Sequence, residues 1–105
     1  MAVRVPIPTV SLVDFVFESE KETAADCGHR SCSTASKGEM KGILGYSNEP
    51  LVSRDHQGTK FSSVVDSLST TAIGGNMIKV VLWYDNEWGY AERTIDMTKY
   101  IADRM

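Results

Sequence analysis

Cysteine is scarce in this sequence. Only Cys27 and Cys32 occur in 105 residues, too few for a disulfide scaffold, which points to a reducing, cytoplasmic setting. No long basic run is present and the formal net charge is -3, so neither nucleic acid nor a membrane surface is an expected partner. No apolar stretch approaches the roughly 20 residues that span a bilayer. Met1 to Pro8 lacks the apolar core of a secretory signal. There is no internal repeat and no low-complexity tract. Hydrophobic residues at 42% and charged residues at 24% fit one globular domain and argue against disorder.

Three prolines punctuate the chain, and two of them, Pro6 and Pro8, force an extended N-terminal segment. Val10 to Phe17 then alternates as a strand. Val13, Phe15 and Phe17 share one face; Val10, Leu12, Asp14 and Val16 share the other. Both faces are apolar enough to expect cover on both sides, and a buried Asp14 would need a partner. Glu20 to Lys37 is long enough to hold a helix, but its Gly, Ser, Thr and Cys residues make that helix marginal. Lys41 to Tyr46 and Leu51 to Asp55 read as short strands, with a turn at His56 to Lys60. Ser62 to Ile73 and Met77 to Tyr84 flank a Gly74-Gly75-Asn76 turn and form a hairpin. Met77 to Tyr84 is nearly continuously apolar and belongs in the centre of a sheet. Asp85 and Asn86 stop it and offer capping side chains to a C-terminal helix. Ala91, Ile95, Thr98, Ala102 and Met105 form one face of that helix; Tyr90, Met97 and Ile101 add a second. Two apolar faces call for more than one neighbour.

Trp83-Tyr84-Asp85-Asn86-Glu87-Trp88-Gly89-Tyr90 is a distinctive run, and it resembles the strand-to-helix junction of glyceraldehyde-3-phosphate dehydrogenases. Arg4-Val5-Pro6 with Pro8 and Val10-Ser11-Leu12-Val13-Asp14 resembles that family's R-V-P-x-P-x-V-S-x-V-D stretch. Lys41-Gly42-Ile43-Leu44, Leu51-Val52-Ser53, Ser62-Ser63 with Asp66, and Met77-Ile78-Lys79-Val80 match in the same order. The resemblance spans nearly the whole chain except about Ala25 to Ser36, and corresponds to roughly the last third of the family's sequence. It implies an α+β fold: a largely antiparallel sheet, one mid-chain helix and a C-terminal helix, 88–105, that packs on a nucleotide-binding half. It also implies roles for three residues. Asn86 would bond the carboxamide of NAD, with NADP not excluded. Tyr90 would lie beside the nicotinamide ring, and Arg4 would bind the substrate phosphate. An amide suits an amide, and a guanidinium fork suits a phosphate.

The family's catalytic cysteine, in an S-C-T-T-N stretch, has no counterpart here. Its catalytic histidine lies upstream of the matched region, and the G-x-G-x-x-G phosphate loop is also absent. The expectation is therefore a fragment of a glycolytic, NAD-dependent dehydrogenase with no catalytic residue of its own. Its partners would be the missing N-terminal half and, in the parent family, a homotetramer. Met1 matches an internal methionine of the family, and a local frame shift would explain the break at Ala25 to Ser36. The helix face left without a neighbour predicts a chain that is poorly stable or associates.

Plainer readings stand beside these. Asn86 alone would be an N-cap, Tyr90 a packing residue, and Arg4 a solvated cation. Trp83 and Trp88 read as core, His56 as a surface histidine in a turn, and Asp14 as a structural carboxylate. Cys27, His29 and Cys32 fit no standard zinc spacing, and no metal site is expected. The alternative function is a non-enzymatic interaction module derived from the same domain.

Overall fold

A computed structural model describes residues 1–105. The order of elements is β1 (Ala2–Val3), β2 (Ser11–Glu18), α1 (Ala25–Lys37), β3 (Leu44–Ser47), a 3-10 turn (Ser53–His56), β4 (Ser63–Ile73), β5 (Met77–Tyr84) and α2 (Trp88–Ala102). The five strands form one sheet in the order β1-β2-β5-β4-β3. Every neighbouring pair is antiparallel except β3 with β4. The α+β class, the hairpin at Gly74-Gly75 and the central place of β5 all agree with the sequence. No helix is long and apolar enough to cross a membrane.

The pleat of β5 sets both faces. Ile78, Val80 and Leu82 lie opposite Phe17, Phe15 and Val13 of β2, and Val65, Ile78 and Val80 form the core cluster. α1 covers this face, and it does so thinly. It presents Gly28, Ser31 and Cys32 to the sheet, and none of its residues is buried. An apolar cleft of about 400 Å³ remains between helix and sheet. Phe15 and Phe17 are consequently exposed, Phe15 by 52%, and Val16 on the other face is exposed as well. The expected cover on both sides of β2 fails there because small side chains cannot reach the phenyl rings.

On the opposite face, Val64 and Trp83 are paired across β4 and β5. His56 stacks on Trp83 at 5.5 Å between ring centroids and is buried, so it is not the surface histidine expected. The strand expected over Leu51 to Asp55 is absent. Asp55 instead accepts the Val52 N–H at 2.8 Å and its own N–H reaches the Val52 carbonyl at 3.0 Å, which closes a 3-10 turn rather than a ladder. Asp14 finds its partner in Lys79, 2.9 Å away, a diagonal neighbour in the register. Trp88, read from the sequence as core, is half exposed.

β4 breaks period two between Asp66 and Thr71, which oppose Val81 and Lys79 respectively. Asp66 holds the resulting bulge. Its carboxylate accepts the Leu68 N–H at 3.1 Å, the Ser69 N–H at 3.3 Å and the Ser69 hydroxyl at 3.1 Å. It also accepts the Trp83 indole N–H at 3.3 Å. A carboxylate has acceptor capacity for all four.

Asp85 fixes the end of β5. Its Oδ1 accepts the N–H groups of Glu87 and Trp88 at 2.9 and 3.0 Å and the Thr9 hydroxyl at 3.3 Å. Its Oδ2 accepts the Gly58 N–H at 2.9 Å. Asp85 thus holds the entry to α2 without being its N-cap, a position that falls on Glu87 and carries no side-chain cap, whereas the Asn86 side chain turns to Ser11. Immediately beyond, Gly89 is packed so closely that a Cβ there would lie 2.7 Å from the Phe61 carbonyl oxygen. Arg93 reaches the Ser62 hydroxyl at 3.1 Å. From Thr94 to the end α2 is exposed, including Ile95, Met97, Tyr100 and Ile101. The apolar surface anticipated from the sequence is present.

Two outcomes test this arrangement. Gly89→Ala should lower the urea midpoint by the equivalent of about 1–3 kcal/mol, because backbone cannot yield as a flexible side chain would. Burial alone would push the Asp85 carboxyl up, but the hydrogen bonds from Gly58, Trp88, Glu87 and Thr9 outweigh it and hold it below the ordinary value. A depressed folded pKa contributes stability above the unfolded value, near pH 4, and that contribution is lost as pH falls through the folded value. Asp85→Asn should therefore cost about 1–3 kcal/mol at neutral pH and flatten the acid limb of a stability–pH curve. An unchanged acid limb would exclude this role.

Candidate functional site

The residues singled out by sequence lie toward one end of the sheet, where β2 begins and β5 finishes. Val3 opposes Leu12, and Ser11 opposes Tyr84. Arg4 follows Val3 directly at that end, and Asn86 lies two residues beyond Tyr84. What brings the chain to this point is strained. Val10 is buried yet adopts φ of 77°, a conformation costly for a β-branched residue. The turn it makes delivers Thr9 to Asp85 and Ser11 to Asn86 on either side of itself.

Asn86 is partly buried and its amide faces Ser11. The Ser11 hydroxyl accepts from Asn86 Nδ2 at 2.9 Å and donates to Oδ1 at 3.1 Å. Ser11 is itself buried. A primary amide has two N–H donors and a two-lone-pair carbonyl, so one hydroxyl leaves a donor and an acceptor free for a ligand amide. Ser11 is the positioning residue that sequence reasoning quoted within a motif without giving it a role. Its alternation with Val10 and Leu12 was the only signal.

Arg4 and Tyr90 are less fixed. Arg4 is exposed and forms no ion pair in this structure. Tyr90 is 78% exposed on the first turn of α2, so the structure does not pack its ring on the sheet. A cleft of about 160 Å³ at the same end is lined by Thr9, Ser53, Arg54 and Gln57 together with the Ile7–Val10 backbone. Arg54 on the 3-10 turn supplies the cation of that cleft, and no sequence motif marks it. The larger apolar cleft beneath α1 includes none of Arg4, Asn86 or Tyr90.

The thiols and imidazoles do not assemble into a nucleophilic pair. Cys27 is exposed and Cys32 faces the sheet, where burial pushes its thiol up. A raised thiol pKa lowers the thiolate fraction, the opposite of what a nucleophile needs. Burial lowers the His56 pKa, with the charges of Asp55 and Asp66 opposing it in part. Its ring is held against Trp83, and no hydrogen bond joins it to either cysteine. His29 is on α1, with Nε2 buried and unbonded.

Known proteins align with this chain closely. The family model for the glyceraldehyde 3-phosphate dehydrogenase C-terminal domain matches residues 1–86. A glyceraldehyde-3-phosphate dehydrogenase of Geobacillus stearothermophilus is 54% identical over 104 residues, which is 99% of this chain and 31% of that protein. Glyceraldehyde-3-phosphate dehydrogenase 1 of Bacillus subtilis is 52% identical over 103 residues, 98% of this chain and 31% of the relative. Glyceraldehyde-3-phosphate dehydrogenase 2 of Trichormus variabilis is 47% identical over 104 residues, again 31% of its length. The chain thus spans about a third of the relatives it matches, and their C-terminal part. On the family match and these identities, the chain belongs to the glyceraldehyde-3-phosphate dehydrogenase C-terminal domain family.

Proposed function

We propose that this chain is the part of an NAD-dependent, phosphorylating glyceraldehyde-3-phosphate dehydrogenase that orients the nicotinamide and receives the substrate phosphate. The observation that carries the reading is the Asn86 amide, held by buried Ser11 one residue beyond the Asp85 anchor. Fixing the amide before binding reduces the rotamer entropy lost on capture. The bound nicotinamide would supply the hydride acceptor for oxidation of the aldehyde. Asn86 would present its donor and acceptor to the carboxamide. Tyr90 would lie beside the ring, and Arg4 would offer its guanidinium to the phosphate. Each role rests on the match of these positions to the family.

The same reading gives α2 a neighbour. The family model ends at Asn86, two residues before α2 begins. The exposed apolar residues of α2 would pack on the nucleotide-binding half, which precedes this domain in the relatives. The setting would be cytoplasmic and glycolytic, and the assembly a tetramer as in the parent family.

Chemistry would come from elsewhere. Burial pushes the Cys32 thiol up, and the His56 ring is held against Trp83 rather than against a cysteine. The purified chain should therefore form no NADH from NAD, phosphate and glyceraldehyde 3-phosphate. Combined with the N-terminal two-thirds of the Geobacillus stearothermophilus relative, it should restore turnover. Asn86→Ala should then lower kcat/KM by about 10- to 100-fold, the loss of one or two hydrogen bonds in a desolvated site. Turnover by the chain alone, or full activity of the Asn86→Ala combination, would sink the proposal.

A second reading is favoured by the exposed face of α2. In it the chain is an interaction module with no catalytic role, and a protein covers Ile95, Met97 and Ile101. Asn86→Ala would then leave binding of that protein unchanged.

A further inference from the structure

His56 is the only buried residue of the 3-10 turn. It seats that turn on the sheet by stacking on Trp83, 11° from parallel. The chain then reverses at once. Gln57 at φ -66° and ψ 128° and Gly58 at φ 77° are the two central residues of a type II turn, in which the third position calls for glycine. The Thr59 N–H closes it on the His56 carbonyl at 3.2 Å. From the same turn the Gly58 N–H leaves for Asp85 Oδ2, 2.9 Å away. A single tight turn therefore carries the imidazole on its first residue and an Asp85 donor on its third.

The ring's surroundings suit a neutral imidazole. An imidazolium carries two N–H donors that need acceptors, and burial strips it of water. Two carboxylates face it, Asp55 from its own turn and Asp66 from β4, and they offset the cost of burial only in part. Both are engaged elsewhere. Asp55 accepts the Val52 N–H, and Asp66 accepts the Leu68 and Ser69 N–H groups and the Trp83 indole. From β5 the ring meets the uncharged indole. Arg54, the cation of the same turn, lines the cleft beside Thr9.

We propose that the His56–Trp83 stack is an acid-sensitive latch, whose protonation lifts the Ser53–Thr59 segment off β5 and withdraws the Gly58 N–H from Asp85. Ser53, Arg54 and Gln57 travel with the segment, so the small cleft they line changes shape with it. Asp85 keeps its other donors, Thr9, Glu87 and Trp88, and the sheet stays folded. A histidine held below its ordinary value contributes stability above about pH 6.5, and that contribution is lost as pH falls from there through the folded value. The Asp85 carboxyl gives up its own contribution in a lower window, below about pH 4. The latch opens first.

Proton and amide NMR of the 105-residue chain tests this. The sequence has two histidines, and His56→Phe identifies their ring resonances while keeping a flat ring against the indole that takes no proton. Exchange of the Gly58 amide, corrected for its intrinsic pH dependence, should accelerate by at least about threefold between pH 7.5 and 5 in the unaltered chain and not in His56→Phe. Should His56→Phe fail to fold, the unaltered chain still decides the matter: the His56 ring and the Gly58 amide shift must titrate with one midpoint, below about 6.5. A midpoint at or above that value overturns the proposal, because the indole face and the carboxylates would then be holding the imidazolium in place. Gly58 exchange that ignores pH overturns it too. So does equal acceleration in His56→Phe, which would assign the response to another group.

Discussion

Three segments meet at the Asp85 carboxylate: the N-terminal bend through Thr9, the central loop through Gly58, and the entry to α2 through Glu87 and Trp88. Each donor would be unsatisfied without it, and a buried unsatisfied N–H costs more than a hydrogen bond gains. The position of Ser11, and through it the Asn86 amide, follows from where Thr9 and Val10 are held. The start of α2 follows from the two N–H groups that Asp85 holds. The strain at Val10 is tolerable only because both its neighbours are tied down.

A second carboxylate, Asp66, does comparable service on β4. It binds a local bulge and the Trp83 indole together. Trp83 in turn supports His56, so the loop carrying Arg54 is seated on the sheet through an aromatic stack. Two acidic residues thus organise one end of a sheet whose hydrophobic core is small. On the other side α1 contributes little, because its sheet-facing residues are too short to fill the space above Phe15 and Phe17.

Much of the fold was legible in the sequence. The near-continuous apolar run of Met77 to Tyr84 specified a central strand, and Gly74-Gly75 specified its hairpin, because period and turn chemistry are local properties. Asp14 was read as needing a partner and has one in Lys79. The failures were non-local. Leu51 to Asp55 has strand-like residues, but a side chain three positions away captured the backbone. His56 looked like a solvent-facing turn residue because nothing local announces a tryptophan from β5. Trp88 looked like core, yet it stands half exposed at the start of α2. Around Asn86 the motif names the residue but not its surroundings: Ser11 as its holder and Arg54 as the cation of the neighbouring cleft require the folded register.

α2 is joined to the sheet by its first two turns alone, through Gly89 and Arg93, and this bears on how the chain unfolds. A helix of this length has little independent stability in water. Its exposed C-terminal half is therefore free to melt while the sheet stays intact, and the molecule has two cooperative units rather than one. Backbone circular dichroism weighs both helices; the Trp83 indole, locked between His56 and Asp66, senses the sheet. The two signals would then trace different transitions, and a single melting temperature would describe neither.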